Sequence, residues 1–285
     1  MLRLNERYAL LTVVFCALLS ACNQQPVEKR FATVETSDKR RIVSLDYCAD
    51  QFVLKFVPRE KIKAVSPDAT KEFSYMREAA TGLPTVQPSA EDVILLEPDL
   101  VVRSYGGGTN SSAYFERLGI PVLDVGWAGD IEGVLTNVER MAAALGAAER
   151  GRATVADVRN RLSRLSDTNQ TSEALYVTPS GATTGAGSLV HELFVAAGLT
   201  NFQTDPGWRT LPLERLAYEQ PAVVAAAFFQ MRNRHPSAWS AARHPVAESL
   251  LSDSDVVYLQ GAWMTCGGWY LIEAVEALAG SKQRS

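Results

Sequence analysis

Two glutamates open the same cassette in different halves of the chain: Glu91 stands seven positions before Pro98, and Glu214 seven before Pro221. A carboxylate repeated at a fixed offset can present charge to a partner, or can stabilise its own helix N-terminus by about 0.3–1 kcal/mol. Between Glu and Pro lie apolar residues at helical spacing, Val93, Ile94 and Leu96 in one copy and Leu213 and Leu216 in the other. Each copy reads as a two-turn helix, a proline stop and a buried strand, at 100–102 and 223–225. Two similarly built lobes, each displaying one acid, suggest a symmetric docking surface.

Other reactive side chains point away from catalysis. His191, His235 and His244 are scattered, whereas a metal site needs histidines and carboxylates that converge; no resident metal or cofactor is expected. Tyr105 and Gly106–Gly107–Gly108 resemble an oxyanion-hole loop in composition, but no Gly-x-Ser-x-Gly elbow accompanies it, and no phosphate-binding glycine fingerprint follows a strand. The remaining enzyme alternative is a two-lobed exported hydrolase with an interlobe site using Ser180 or Ser188 with His191. Of four cysteines, Cys16 and Cys22 lie near the N-terminus, leaving Cys48 and Cys266. In an oxidising compartment these two either pair or remain as two partly buried thiols.

The N-terminal residues carry an address. Arg3 and Arg7, an apolar stretch over 8–19 and the small residues before Cys22 read as an export signal over 1–21. About twelve apolar residues fall short of the roughly 20 that span a bilayer. Cys22 follows a lipobox-like Leu-Ser-Ala and is the candidate acylation site, with residues 22–40 as a flexible tether. The expected location is the periplasm, with the protein anchored to a membrane by lipid. The 285 residues, 47% of them hydrophobic, suffice for one large core or two modest ones, and a net charge of −4 gives no footprint for nucleic acid.

Strands and helices alternate from Arg41 onward, with strands at 42–45, 62–65 and 121–125 and helices at 49–56 and 114–118, which argues for a parallel sheet under helices, an α/β fold. The segments 131–145 and 148–165 form the longest helical stretch, a natural bridge to a second α/β half with strands at 174–177, 223–225 and 256–259 and helices at 188–197 and 266–278.

Residues 41–45, Leu83-Pro84 leading to Glu91, residues 98–102, the midway helix, residues 188–193 with 197–199, and the second cassette together resemble a periplasmic binding protein of the ferric-siderophore and cobalamin type. The resemblance covers roughly 41–280. It implies two Rossmann-like lobes, 41–146 and 169–285, with mostly parallel sheets joined by one long bridging helix at 147–168. It further implies a monomer that captures a metal chelate in an interlobe cleft and delivers it to the permease dimer of an ABC transporter, without bond making. In that family a glutamate on each lobe meets arginines of the permease, and Glu91 and Glu214 stand at the matching positions. A chelate cleft wants aromatic faces and a few directional polar groups. Loops that follow strands supply Tyr47, Tyr105, Trp127, Trp208, Arg209, Phe229, Arg232, Trp263 and Trp269 as ligand-binding candidates, with Arg103 as a further cation. Several arginines tilt the expected ligand toward an anionic ferric siderophore rather than cobalamin.

Overall fold

The α/β alternation is realised as two four-stranded parallel sheets with the same internal order. The computed structural model describes residues 40–165, 172–227 and 240–281. The first half contains β1 (Ile42–Ser44), α1 (Tyr47–Phe56), β2 (Ile62–Ala64), α2 (Arg77–Ala80), α3 (Ala90–Ile94), β3 (Leu100–Arg103), α4 (Ser111–Arg117) and β4 (Val122–Asp124). Next come α5 (Ile131–Ala144) and α6 (Ala148–Leu165). The second half contains β5 (Ser172–Val177), β6 (Ala182–Thr184), α7 (Leu189–Ala196), β7 (Leu199–Asn201), β8 (Trp208–Thr210), α8 (Leu213–Leu216), β9 (Val223–Ala226), α9 (Pro245–Asp253), β10 (Asp255–Tyr258), α10 (Gly261–Met264) and α11 (Leu271–Ser281).

The sheets run β2-β1-β3-β4 and β7-β5-β9-β10. In each, the first strand lies beside the second on one flank and the third on the other, and the strand after the proline cassette is interior. Val101 pairs with Val43 and Val122, and Val224 with Leu175 and Val256. The proline stops act as expected, but α3 and α8 are shorter than two turns, at five and four residues. The antiparallel pair β6–β8, strand β7 and helix α9 carry too few periodic residues to stand out in the sequence.

The two midway helices form a hairpin, and α6 occupies the stretch where one bridging helix is expected. Helix α5 ends at Leu145, the chain turns at Gly146, and α6 alone carries it toward the second sheet. Such a short connection returns α6 alongside α5. Asp130 starts the hairpin by accepting the Gly133 N–H at 2.6 Å. Arg161 on α6 then pairs with Glu273 at 3.0 Å and Glu276 at 2.6 Å on α11.

Period-two alternation sends strand side chains into different layers. Val43, Val101, Leu175, Val177 and Val224 enter outer clusters private to each lobe. Ile42, Leu100, Val102, Ala174, Tyr176, Val223 and Ala225 face one large cluster shared by both halves with α1, α5, α6, α7 and α11. The lobes thus meet through a continuous core. Trp269 and Tyr270, just before α11, lie among Phe52, Phe56 and Tyr75 of the first lobe, with Tyr75 stacked on Tyr270 at 4.6 Å.

Cys48 of α1 and Cys266 are joined in a disulfide across 218 positions, with Cα atoms 5.5 Å apart. This bond ties the start of the fold to its end. Closing so long a loop reduces unfolded-chain entropy by an amount worth about 5 kcal/mol in the chain model, and about 2–5 kcal/mol is the usual loss when a native bond is removed. Cys48→Ala/Cys266→Ala should lower the unfolding free energy extrapolated from urea titration by about 2–5 kcal/mol with an unreduced wild type as reference; coincident unfolding curves would show that the shared core alone holds the lobes.

Candidate functional site

The carboxyl ends of β1, β3 and β4 converge on the first turn of α1, where the sequence has Asp46-Tyr47-Cys48-Ala49-Asp50-Gln51. Asp46 caps the helix, its Oδ1 accepting the Ala49 N–H at 2.9 Å. Its Oδ2 accepts three successive backbone N–H groups, from Ser104 at 2.6 Å, Tyr105 at 3.0 Å and Gly106 at 2.8 Å. One carboxylate therefore fixes the loop that bears Tyr105. Gly106 is needed there because a Cβ would lie 2.6 Å from the Leu45 carbonyl oxygen.

Asp50 and Gln51 hold two further loops. Asp50 accepts the Ser66 N–H at 3.1 Å and the Ser66 hydroxyl at 2.5 Å. Gln51 donates to Ser74 Oγ at 2.9 Å and accepts the Met76 N–H at 2.7 Å. The segment between them carries Phe73, whose ring meets Tyr47 edge-on at 4.9 Å, while Tyr47 meets Tyr105 at 5.7 Å. Thr265, next to the disulfide, donates to the Phe73 carbonyl at 3.2 Å. Tyr47, Phe73 and Tyr105 thus form an aromatic triad beside the disulfide.

Burial raises the pKa values of both Tyr47 and Tyr105. The carboxylates of Asp46 and Asp68 add to the rise. Both phenols stay protonated at physiological pH and offer O–H groups rather than phenolates.

Trp127 follows β4 and is 85% exposed. Arg140 fixes its loop by donating to the carbonyls of Asp124 at 2.9 Å and Val125 at 2.5 Å. The indole lies over Gly129, where a Cβ would approach within 2.7 Å. On the second lobe Trp208, 58% exposed, meets Tyr176 edge-on at 6.1 Å. Tyr176 faces the shared layer, and Trp208 lies in strand β8 of the two-stranded sheet beside it. Arg209 is exposed and donates to the Trp208 carbonyl at 3.0 Å, and Trp263 is half-buried against the same layer.

Two expectations require correction. Trp269 is only 7% exposed and fills the core between lobes, with the Lys55 ammonium over its ring, so it is a packing residue rather than a ligand face. Arg103 is also buried; it donates to Ser112 at 2.8 Å and faces Asp124 at 3.7 Å, which removes it from the cleft cations. Phe229, Arg232, His235 and Cys22 lie outside the described residues. The hydrolase trio is otherwise engaged: Ser188 caps α7 and donates to Gly185, Ser180 bonds Thr178, and the His191 ring meets Asn201 at 3.4 Å.

Sequence reasoning passed over Asp50, Gln51, Phe73 and Arg140. The available signal was a polar pair, Asp50-Gln51, between apolar residues on what must be the buried face of α1.

Two parallel α/β sheets of the same order, packed on one shared core, define the architecture of a two-lobed binding protein. Residues 42–236 match the family model of the periplasmic binding proteins, and the chain belongs to that family. The heme-binding protein HutB of Vibrio cholerae superimposes with a TM-score of 0.67 at 17% identity, over 85% of this chain and 98% of that one. A periplasmic heme-binding protein from Pseudomonas aeruginosa gives 0.64 at 21%, over 86% and 93%. The vitamin B12-binding protein BtuF of Vibrio cholerae gives 0.63 at 22%, over 86% and 97%. At these identities the likeness is one of fold. No curated protein matches the chain.

Burial pushes Asp50 up to about 6. The folded state then holds this proton more tightly than the unfolded chain, so its contribution to stability is fully present below about pH 4 and is lost as pH rises through about 6. Asp50→Asn keeps an acceptor for the Ser66 N–H and removes the ionisation. Its stability relative to wild type should improve by up to about 3 kcal/mol between pH 4 and pH 7.5; parallel stability curves across that range would refute the assignment.

Proposed function

We propose that this protein is the extracytoplasmic receptor of an ABC importer for a metal chelate with a flat macrocyclic face, of the tetrapyrrole kind. The carrying observation is the set of aromatic faces left open to solvent, Tyr105 and Trp127 on one lobe and Trp208 on the other. Such faces stack on a conjugated or apolar ring, and neutral phenols at Tyr47 and Tyr105 supply directional hydrogen bonds. The expectation of an anionic siderophore leaned on several cleft arginines. With Arg103 committed to Asp124 and Ser112, Arg209 and Arg232 remain as candidates, and the balance moves toward a macrocycle. Trp263 completes the ligand-facing set. The named relatives include binders of heme and of vitamin B12, which accords with this reading.

Acylation at Cys22 would hold the receptor at a membrane, and Glu91 and Glu214 would meet the permease dimer. Both glutamates are exposed, in the first turn of the helices that precede the interior strands β3 and β9. Charges at such tips steer and orient association.

Tryptophan fluorescence tests the ligand. Hemin or cyanocobalamin should quench the full-length protein saturably at one equivalent, and Trp127→Phe should reduce the quenching amplitude. Saturable quenching by a ferric hydroxamate alone would restore the siderophore reading, and no quenching by any of the three would remove the chelate reading.

A further inference from the structure

Among the exposed large apolar side chains, one on each lobe belongs to the Glu-to-Pro cassette. Leu95 is 81% exposed and Tyr218 is 91% exposed. Single exposed apolar residues are ordinary on protein surfaces, but these two occupy equivalent positions. Counting from Glu91, the residue at +2 is the fully buried Val93, at +4 Leu95 and at +7 Pro98; counting from Glu214, they are the buried Leu216, Tyr218 and Pro221. Val93 enters the outer cluster of the first lobe and Leu216 that of the second. Residues four apart lie one helical turn apart on the same face, and the Leu95 N–H bonds the Glu91 carbonyl. On the second lobe Tyr218 follows the helix in a tighter turn, its N–H bonding the Arg215 carbonyl at 3.0 Å, and on both lobes the acid and the apolar residue four positions on are exposed.

The charges around each pair are arranged alike. Arg41 is committed to Glu97 at 2.9 Å and Asp99 at 3.1 Å. Arg215 is committed to Glu219 at 2.6 Å and Glu173 at 3.4 Å. Each arginine thus pairs with an acid just before the proline, Glu97 or Glu219, and with one further acid, Asp99 or Glu173. Among the described residues neither Glu91 nor Glu214 has an ion-pair partner.

We propose that the permease contact on each lobe is a two-point tip, a carboxylate with an apolar side chain one turn further on: Glu91 with Leu95, and Glu214 with Tyr218. This rests on the docking role of the glutamates and adds the element that grips. The partner it fits is a two-fold permease dimer whose two sockets each place a cation beside an apolar hollow. Coulombic attraction at exposed tips weakens with salt, whereas apolar burial does not. The carboxylates set encounter and orientation, and the apolar tips set residence. Leucine on one side and tyrosine on the other give the two sockets unequal loads.

The test uses full-length protein and the chelate permease of the source organism in lipid nanodiscs, with affinity measured at low and high salt. Leu95→Ser and Tyr218→Ser should each weaken binding about tenfold at both salt levels, as truncation of an interface hot spot does, with the melting temperature unchanged. Glu91→Lys/Glu214→Lys should abolish the low-salt affinity. Wild-type binding by both serine variants at both salt levels would overturn the apolar grip while leaving the glutamate role intact. Wild-type binding by the lysine variant would remove the docking reading itself.

Discussion

The first turn of α1 is the constraint on which the cleft depends. A buried carboxylate is costly unless its oxygens are satisfied, and both acids in this turn are buried. Asp46 finds its partners in the Tyr105 loop and Asp50 in Ser66, while Gln51 finds its own in Ser74 and Met76. Cys48, between them, is bonded to the far end of the chain. Three loops and the second lobe are therefore indexed to one helical turn, and the aromatic triad inherits its geometry from it. The hydrogen bonds and the desolvation of the acids are two sides of the same arrangement. Moving any one loop would strand a buried polar group.

That local constraint is embedded in a core the lobes share. Alternate residues of both sheets face a single apolar cluster, and the segment containing Trp269 and Tyr270 inserts aromatic rings between helices of the first lobe. Opening the cleft widely would expose this layer at about 25 cal/mol per Å² of apolar surface, and the disulfide limits the same motion. Trp127 lies over Gly129 and the Asp46 cap fixes the Tyr105 backbone, so both side chains are placed by contacts within their own lobe.

Fold duplication separates the two interfaces. Both sheets run in the same internal order, and both place the proline cassette before an interior strand. The repeated feature, acid then buried apolar then exposed apolar, is exposed at its acid and its second apolar residue on each lobe, whereas the aromatic residues proposed for the ligand are not repeated. Tyr47, Phe73 and Trp127 are particular to the first lobe, and Trp208 and Trp263 to the second. An asymmetric cleft suits an asymmetric chelate, and repeated tips suit a two-fold partner.

The α/β class, the parallel strands, the proline stops and the equivalence of Glu91 with Glu214 were legible because they rest on local signals: period, β-branching, proline geometry and spacing. Of the aromatic residues expected on loops after strands, Tyr105 and Trp127 follow β3 and β4, whereas Trp208 lies in strand β8 and Tyr47 opens helix α1. The pairing of Cys48 with Cys266 could only be left open, because spacing along the chain says nothing about distance across it. Trp269 and Arg103 look like cleft residues in sequence, yet packing buries one among phenylalanines and ion pairing commits the other. Asp50, Gln51 and Phe73 acquire roles only when helix α1 is docked and its loops must satisfy it. The sequence alone determined which segments form elements and which faces of them are apolar. The tertiary structure decided which side chains remain open to a ligand, since burial and hydrogen-bond partners are supplied by residues remote in the chain.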